Sequence, residues 1–469
     1  MVAGNAPLRD HHADFDKPRA GIAMTDTTNA PAAPSNPPPS QAARKGAWSR
    51  FLTATELDTR LIGMVAALIL IWGGFHMYGV LVNGQGFFLT PRNLWNLSVQ
   101  TASIGIMATG MVLVIITRHI DLSVGSILGF TAILMGMMQV NILPQYLGLG
   151  HPAIWIITVV FGIICGMMIG GFQGALVAYG GIPAFIVTLG GLLVWRGCAF
   201  LVARGETISP VDATFSLLGG GPYGSVGATG SWIVGLIICA GIVFMIVNGR
   251  RQRTKFEFAK RPYWADTFLA VLGCAATVGA VLLVNSYYWP KGIVKQYIAA
   301  NNLDVEAETL FISHGFAIPV LVLVVVAVTM NFVMNNTRFG RYVFAIGGNP
   351  EAAALAGIDT KWMTVKIFAI MGGLAGLSAV VASARLNSAT NALGTLDELY
   401  VIAAAVIGGT SLAGGVGTIF GAILGALVMQ SLQSGMVLIG FDAGMQQVVV
   451  GSVLVLAVFL DILYRRKSK

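Results

Sequence analysis

Of 469 residues, 56% are hydrophobic and 10% charged, against about 25% charged in a soluble domain. Apolar runs of about 18 residues or more recur along the chain, which excludes a soluble globular fold and makes this an all-α, polytopic bundle of transmembrane helices. The net charge of +8 is no nucleic-acid signature, because the basic residues sit at the ends of the apolar runs.

Residues 1–50 read as a tail. Pro31-Ala-Ala-Pro-Ser-Asn-Pro-Pro-Pro-Ser40 suits neither helix nor core and is expected to be disordered. Met24 offers an alternative start, and no apolar stretch near the beginning reads as a cleavable signal. Span 1 covers about 61–82, preceded by Arg44, Lys45, Arg50 and Arg60, which places the N-terminus in the cytoplasm. Span 2 covers about 94–116. Thr117-Arg-His-Ile-Asp-Leu-Ser-Val-Gly-Ser126 follows and leads into span 3, to about 140. Spans 4 and 5, about 154–178 and 182–202, turn at Gly180, Gly181 and Pro183. A Gly-rich outer loop leads to span 6, about 232–247, which ends in Arg250, Arg251, Arg253, Lys255, Lys260 and Arg261, a cytoplasmic anchor against anionic lipid. Span 7 is about 267–284, and an outer loop at 286–313 precedes span 8, about 316–333.

After a polar loop, span 9 runs over about 365–384. The apolar run 399–407 is short, and Gly408-Gly-Thr-Ser-Leu-Ala-Gly-Gly-Val-Gly417 interrupts it. Two further spans, to about 439 and 460, lead to Arg465, Arg466, Lys467 and Lys469. For the C-terminus to lie inside, the short run crosses or half-crosses, giving about twelve crossings with ten to twelve compatible. The 59 glycines fit closely packed membrane helices. Cys165, Cys198, Cys239 and Cys274 lie in apolar runs without CxxC or metal-ligand spacing, and are expected as small buried hydrophobes.

No GxxxxGK[ST], HExxH or GxSxG occurs, so the chain has no P-loop of its own. No Asp, Glu or Lys sits at the middle of an assigned span, and an ion- or proton-coupled carrier usually needs an intramembrane carboxylate or a broken-helix ion site. Asp121, with Ser123 beside it, is expected to cap span 3, or else to serve the substrate path. Thr410 and Ser411 either line that path or satisfy backbone groups freed at the Gly-rich break. His76 and Arg196 are expected to snorkel. With no energy source in the chain, it conducts passively or a partner drives it.

The polar segment 336–363 favours the partner. It holds a short helix with Asn349 as N-cap, Pro350 at the first position, Glu351 at the positive end, then Ala352, Ala353, Ala354, Leu355 and Ala356, closed by Gly357. A helix this short needs something to lie against. Either it docks in a groove on another protein, or it closes a satisfied loop between spans. Arg338 and Arg341 either join such a docking surface or anchor to lipid.

This segment, Thr337-Arg-Phe-Gly-Arg-Tyr-Val-Phe-Ala-Ile-Gly-Gly-Asn-Pro-Glu-Ala-Ala-Ala-Leu-Ala-Gly-Ile358, resembles the ribose/xylose-type sugar permeases of ABC importers. So do Ile120-Asp-Leu-Ser-Val-Gly-Ser126, Gly181-Ile-Pro-Ala-Phe-Ile-Val-Thr-Leu-Gly190 and Ala403-Ala-Ala-Val-Ile-Gly-Gly-Thr-Ser-Leu-Ala-Gly-Gly-Val-Gly417, in family order. The resemblance implies a permease domain over about 51–465 whose coupling helix spans Asn349 to Gly357 and sits in a groove of a separate ATPase subunit. It implies a second permease copy, a periplasmic sugar-binding protein, and ATP and Mg on the partner, with no cofactor on this chain. The segment 230–313 looks like the extra helix pair of the longer, xylose-type members and points to D-xylose or a related pentose. One departure is Arg118-His119, where many members have two glycines.

Overall fold

The computed structural model describes residues 47–468. The chain divides into two compact units, residues 1–50 and 51–469. Of the first, only 47–50, the opening of α1 (Ala47–Thr55), is described, and the rest of the expected tail lies outside the described residues. Next come α2 (Thr59–Asn83), α3 (Pro91–Ile116) and α4 (Val124–Met137), which passes through a π-turn into α5 (Leu143–Leu147). There follow α6 (Ala153–Ala178), α7 (Ala184–Ala203), α8 (Ala213–Ser216), α9 (Gly227–Lys255), α10 (Tyr263–Asn285), α11 (Lys291–Ala300) and α12 (Ile318–Asn336). The chain ends with α13 (Arg338–Gly348), α14 (Pro350–Leu355), α15 (Thr360–Leu386), α16 (Asp397–Ile407), α17 (Ile419–Leu438) and α18 (Ala443–Ser468). Among the described residues, ten helices are long and apolar enough to cross a membrane, and no strand forms beyond isolated bridges. The expected all-α polytopic bundle is what the chain builds.

Local chemistry sets the helix ends. The Asp58 carboxylate accepts from Arg60 N ahead of α2, and Gly84, at φ +70°, closes that helix by donating to Val80 O at 3.1 Å. Thr90 caps α3, and Pro91 opens it where no N–H partner is needed.

The bundle is centred on α3 and α15. From Thr101 to Thr117 every residue of the chain except Ser103 is buried, so the last sixteen residues of α3 form an inner rod of about 24 Å. Ser103 donates to Ser378 Oγ at 2.6 Å, and Ser378 donates back to Ser103 O at 2.9 Å, binding α3 to α15. The tightest packing is between α6 and α15. Gly162, Gly166, Gly170 and Gly174 recur every fourth residue on α6; the last three face Phe368 and Gly372 on α15, and Gly376 packs on Gly162 O, while Gly162 itself faces Met135 of α4. A methyl on Gly166 would strike Gly372 O, and one on Gly372 would strike Gly166 O. The two backbones therefore touch, as small-residue ridges allow in lipid.

The short run 399–407 is resolved as α16. Eleven residues rise only about 16 Å, roughly half of a hydrocarbon core. The chain between α15 and α16 turns back into the bundle, where Arg196 Nη1 donates to Asn391 O and Leu393 O, each at 2.8 Å. Arg196 therefore does not snorkel; it ties α7 to the re-entrant segment. A second correction concerns Asp121. The residue preceding α4 is Ser123, and its side chain makes no cap bond. Asp121 Oδ1 instead accepts from Ser123 N at 2.8 Å and Ser123 Oγ at 2.6 Å, folding the approach to the helix two residues early. The cysteines are half-buried rather than enclosed, because α6, α7, α9 and α10 turn most of their surface outward.

α9 and α10 pack on one another at the edge of the bundle. Glu56, between α1 and α2, holds their basic end. Its carboxylate accepts from Arg253 Nη1 and Nη2, both at 2.7 Å, and from Arg261 Nε and Nη2 at 3.0 and 2.7 Å. These bonds, Arg253 first, hold the Glu56 carboxyl at about 2, against an ordinary 4.5. The cluster is open to water, which screens it to about 1 kcal/mol. A carboxyl lowered on folding stabilises fully above its unfolded value, and that stabilisation fades as pH falls toward the folded one. Glu56→Gln is accordingly expected to lower the thermal midpoint at pH 7, with the difference from wild type shrinking as pH drops from 4.5 toward 2.

Candidate functional site

Two features interrupt the packed bundle. The first is the α13–α14 projection. Thr337 Oγ1 accepts from Gly340 N to start α13, and Val343 and Ile346 seat it on the bundle. Asn349 breaks the helix and caps the next, its Oδ1 accepting from Glu351 N and Ala352 N at 3.0 Å each. Pro350 follows at the first position, and Gly357, at φ +84°, turns the chain away. Within α14 only Ala353 is buried; Glu351, Ala352, Ala354 and Leu355 are exposed, Leu355 to 90%. An isolated, capped, two-turn helix thus presents one carboxylate and an apolar tip. Arg338 and Arg341 are exposed one turn apart on α13.

The second feature is a cavity of about 570 Å³, within the size range of small-molecule sites. Asn93, Asn96, Gln100 and Ser103 line it from α3, and Gln430, Gln433 and Ser434 from α17. Arg385 closes α15 at its edge, and Asp397 opens α16. Gln430 Nε2 donates to Gln433 Oε1 at 2.9 Å and Gln100 Oε1 at 3.2 Å, and Ser434 Oγ donates to Asn93 Oδ1 at 3.2 Å. These amides and hydroxyls both donate and accept, which suits a neutral polyhydroxylated or a zwitterionic solute. Among the described residues no group of three or more His, Cys, Asp or Glu is placed to hold a metal.

Asp121, Ser123, Thr410 and Ser411 do not line this cavity. Asp121 and Ser123 are enclosed with Gln173 of α6. Ser123 Oγ lies 2.6 Å from Asp121 Oδ1 and 2.8 Å from Gln173 Oε1, and its single proton serves one of these two acceptors at a time. Ser411 Oγ accepts from Ala413 N at 3.1 Å and so folds the Gly-rich break, whereas Thr410 Oγ1 is buried without a partner. The cavity residues went unread in the sequence, yet a signal was there. Asn93, Asn96, Gln100 and Ser103, and Gln430, Gln433 and Ser434, recur at helical spacing inside otherwise apolar spans.

Comparison with known proteins decides the class. Residues 93–458 match the family described as branched-chain amino acid transport system / permease component. The chain belongs to this family. The permease is 34% identical to the xylose transport system permease protein of Escherichia coli (strain K12), over 89% of this chain and 95% of that one. To the corresponding protein of Haemophilus influenzae it is 36% identical, over 82% and 92%. To the ribose import permease protein of Escherichia coli (strain K12) it is 31% identical, over 80% and 87%. No solved structure matches the permease.

Proposed function

We propose that this chain is the transmembrane permease subunit of an ATP-binding-cassette importer, translocating D-xylose or a related pentose delivered by a periplasmic binding protein. The cavity carries the reading: amide and hydroxyl side chains on α3 and α17 form a neutral, doubly hydrogen-bonding surface within an apolar bundle, the surface a sugar's hydroxyls require. The names of the xylose and ribose relatives support the substrate class. In this reading 336–363 is the cytoplasmic coupling loop, Asn349 to Gly357 meets the ATPase, and 230–313 is an added helix pair. Both termini lie in the cytoplasm, and two copies pair around the path. ATP and Mg reside on the partner.

The test is uptake into proteoliposomes holding the permease and its ATPase, with the binding protein outside. ATP-dependent D-xylose uptake is expected; uptake by the permease alone would make it a channel or carrier. Gln430→Leu removes a side chain bonded to two others, and is expected to reduce uptake at low sugar about fivefold, the worth of about one hydrogen bond. One observation favours a second reading. Arg385 and Asp397 share the cavity wall and could hold the carboxylate and ammonium of an amino acid, as the family description allows. Leucine uptake exceeding D-xylose uptake in the same vesicles would establish it.

A further inference from the structure

Arg118 stands at a junction the sequence left unexplained. Its own N–H donates to Ile115 O at 2.9 Å and His119 N donates to Val114 O at 3.0 Å. These are the two bonds of a Schellman ending on α3, which requires a left-handed residue where Arg118 stands. Arg118 takes that conformation, at φ +65°, although glycine does so freely and arginine does not. Its side chain shows what the arginine adds. Nε donates to Gly347 O at 3.0 Å and Nη2 to Gly348 O at 2.6 Å. Those are the last carbonyls of α13, at its negative end, where a cation is favoured. The guanidinium thus caps α13 from the end of α3.

The Gly-rich break joins the same point. Gly415 N donates to Ile116 O at 3.0 Å, and a methyl on Gly414 would lie 2.9 Å from Arg118 Nε. At its other end α3 carries Asn93, Asn96, Gln100 and Ser103 of the cavity. One helix therefore runs from the cavity wall to the root of α14, where Gly347 packs on Ile116 O and Arg118 adds the side-chain fastening.

We propose that Arg118 is a positioning residue that clamps the α13–α14 projection to α3, so that movement of α14 is passed to the cavity wall. The inference rests on the importer reading. Without the clamp, α14 moves with its partner while α3 lags, and ATP is spent without transport.

The experiment measures D-xylose carried per ATP hydrolysed by the permease–ATPase complex in proteoliposomes with binding protein, alongside its thermal midpoint and subunit ratio. Arg118→Gly keeps the backbone bonds of the α3 ending and relieves its conformation. It is expected to hold or raise the midpoint, keep the ATPase bound, and lower the sugar-to-ATP ratio about three- to tenfold, within the range of coupling changes from single residues. Arg118→Lys, a point charge without the fork, is expected to fall between. An unchanged ratio in Arg118→Gly overturns the proposal. Loss of the ATPase from the complex also overturns it, since Arg118 would then be a partner contact. Wild-type uptake that needs no ATP overturns the importer reading and this inference together, an outcome independent of either variant.

Discussion

Gly372→Leu is expected to remove folded protein from the membrane. In α15 the Gly372 Cα lies against the backbone of α6, and even a methyl there would strike Gly166 O. The opposing residues, Gly166 and Gly170, have no side chain to move aside, so the only relief is separation of the helices. That separation would open the whole row from Gly162 to Gly174 and loosen Phe368 and Met371, both fully buried. The expected cost is about 3 kcal/mol or more, a large share of the 5–15 kcal/mol by which folded proteins are typically stable. The check is the yield of monodisperse protein after detergent extraction, which should fall about tenfold or more. Gly171→Leu, one residue along α6, is the control, since its nearest neighbour is Ala369 Cβ at an ordinary 3.6 Å. Equal yields from the two variants would show that α6 and α15 are not in backbone contact.

That row of glycines marks where sequence reading succeeds and where it stops. The abundance of glycine foretold close packing, and the apolar runs foretold the spans, because lipid imposes both from composition alone. Which glycines face which helix depends on pairing between segments some two hundred residues apart, and no local pattern encodes that. The start of α14 was legible to the residue, since the Asn349 cap and Pro350 at the first position act locally; its end falls at Leu355, one residue before the expected Ala356, with Gly357 turning the chain. Asp121 misled for the opposite reason. An acidic residue before a helix resembles a cap, but Asp121 stands two residues ahead of the cap position, and its carboxylate accepts from Ser123 rather than from the first turn of α4. Arg196 reads as a snorkelling side chain in the sequence because its partners are backbone carbonyls of a re-entrant segment, and carbonyls leave no mark in a sequence. The polar stripes on α3 and α17 are the sequence's mark of the cavity, a faint one because uncharged Asn, Gln and Ser do not interrupt a hydropathy profile.

Glu351→Lys is expected to leave the chain folded in the membrane and to abolish uptake. The bonds that hold α14 are made by the Asn349 side chain to backbone N–H groups of Glu351 and Ala352, so they survive the change. The local loss is that of an acidic group at a helix N-terminus, at most about 1 kcal/mol. Glu351 itself is exposed, beside exposed Ala352 and Ala354 and a Leu355 that is 90% exposed. In the proposed importer this tip is enclosed by the ATPase, and reversing a charge inside such an interface costs several kcal/mol. Two kcal/mol alone lowers affinity about thirtyfold. Glu351→Gln, which removes the charge without reversing it, is expected to retain part of the activity. The measurement pairs ATP-dependent D-xylose uptake with co-purification of the ATPase. Parallel loss of both in Glu351→Lys, at wild-type permease levels, would place Glu351 in the contact. Uptake at the wild-type rate would leave Leu355 and the alanines to hold the partner by apolar burial alone, and would assign the Glu351 carboxylate to its own helix dipole.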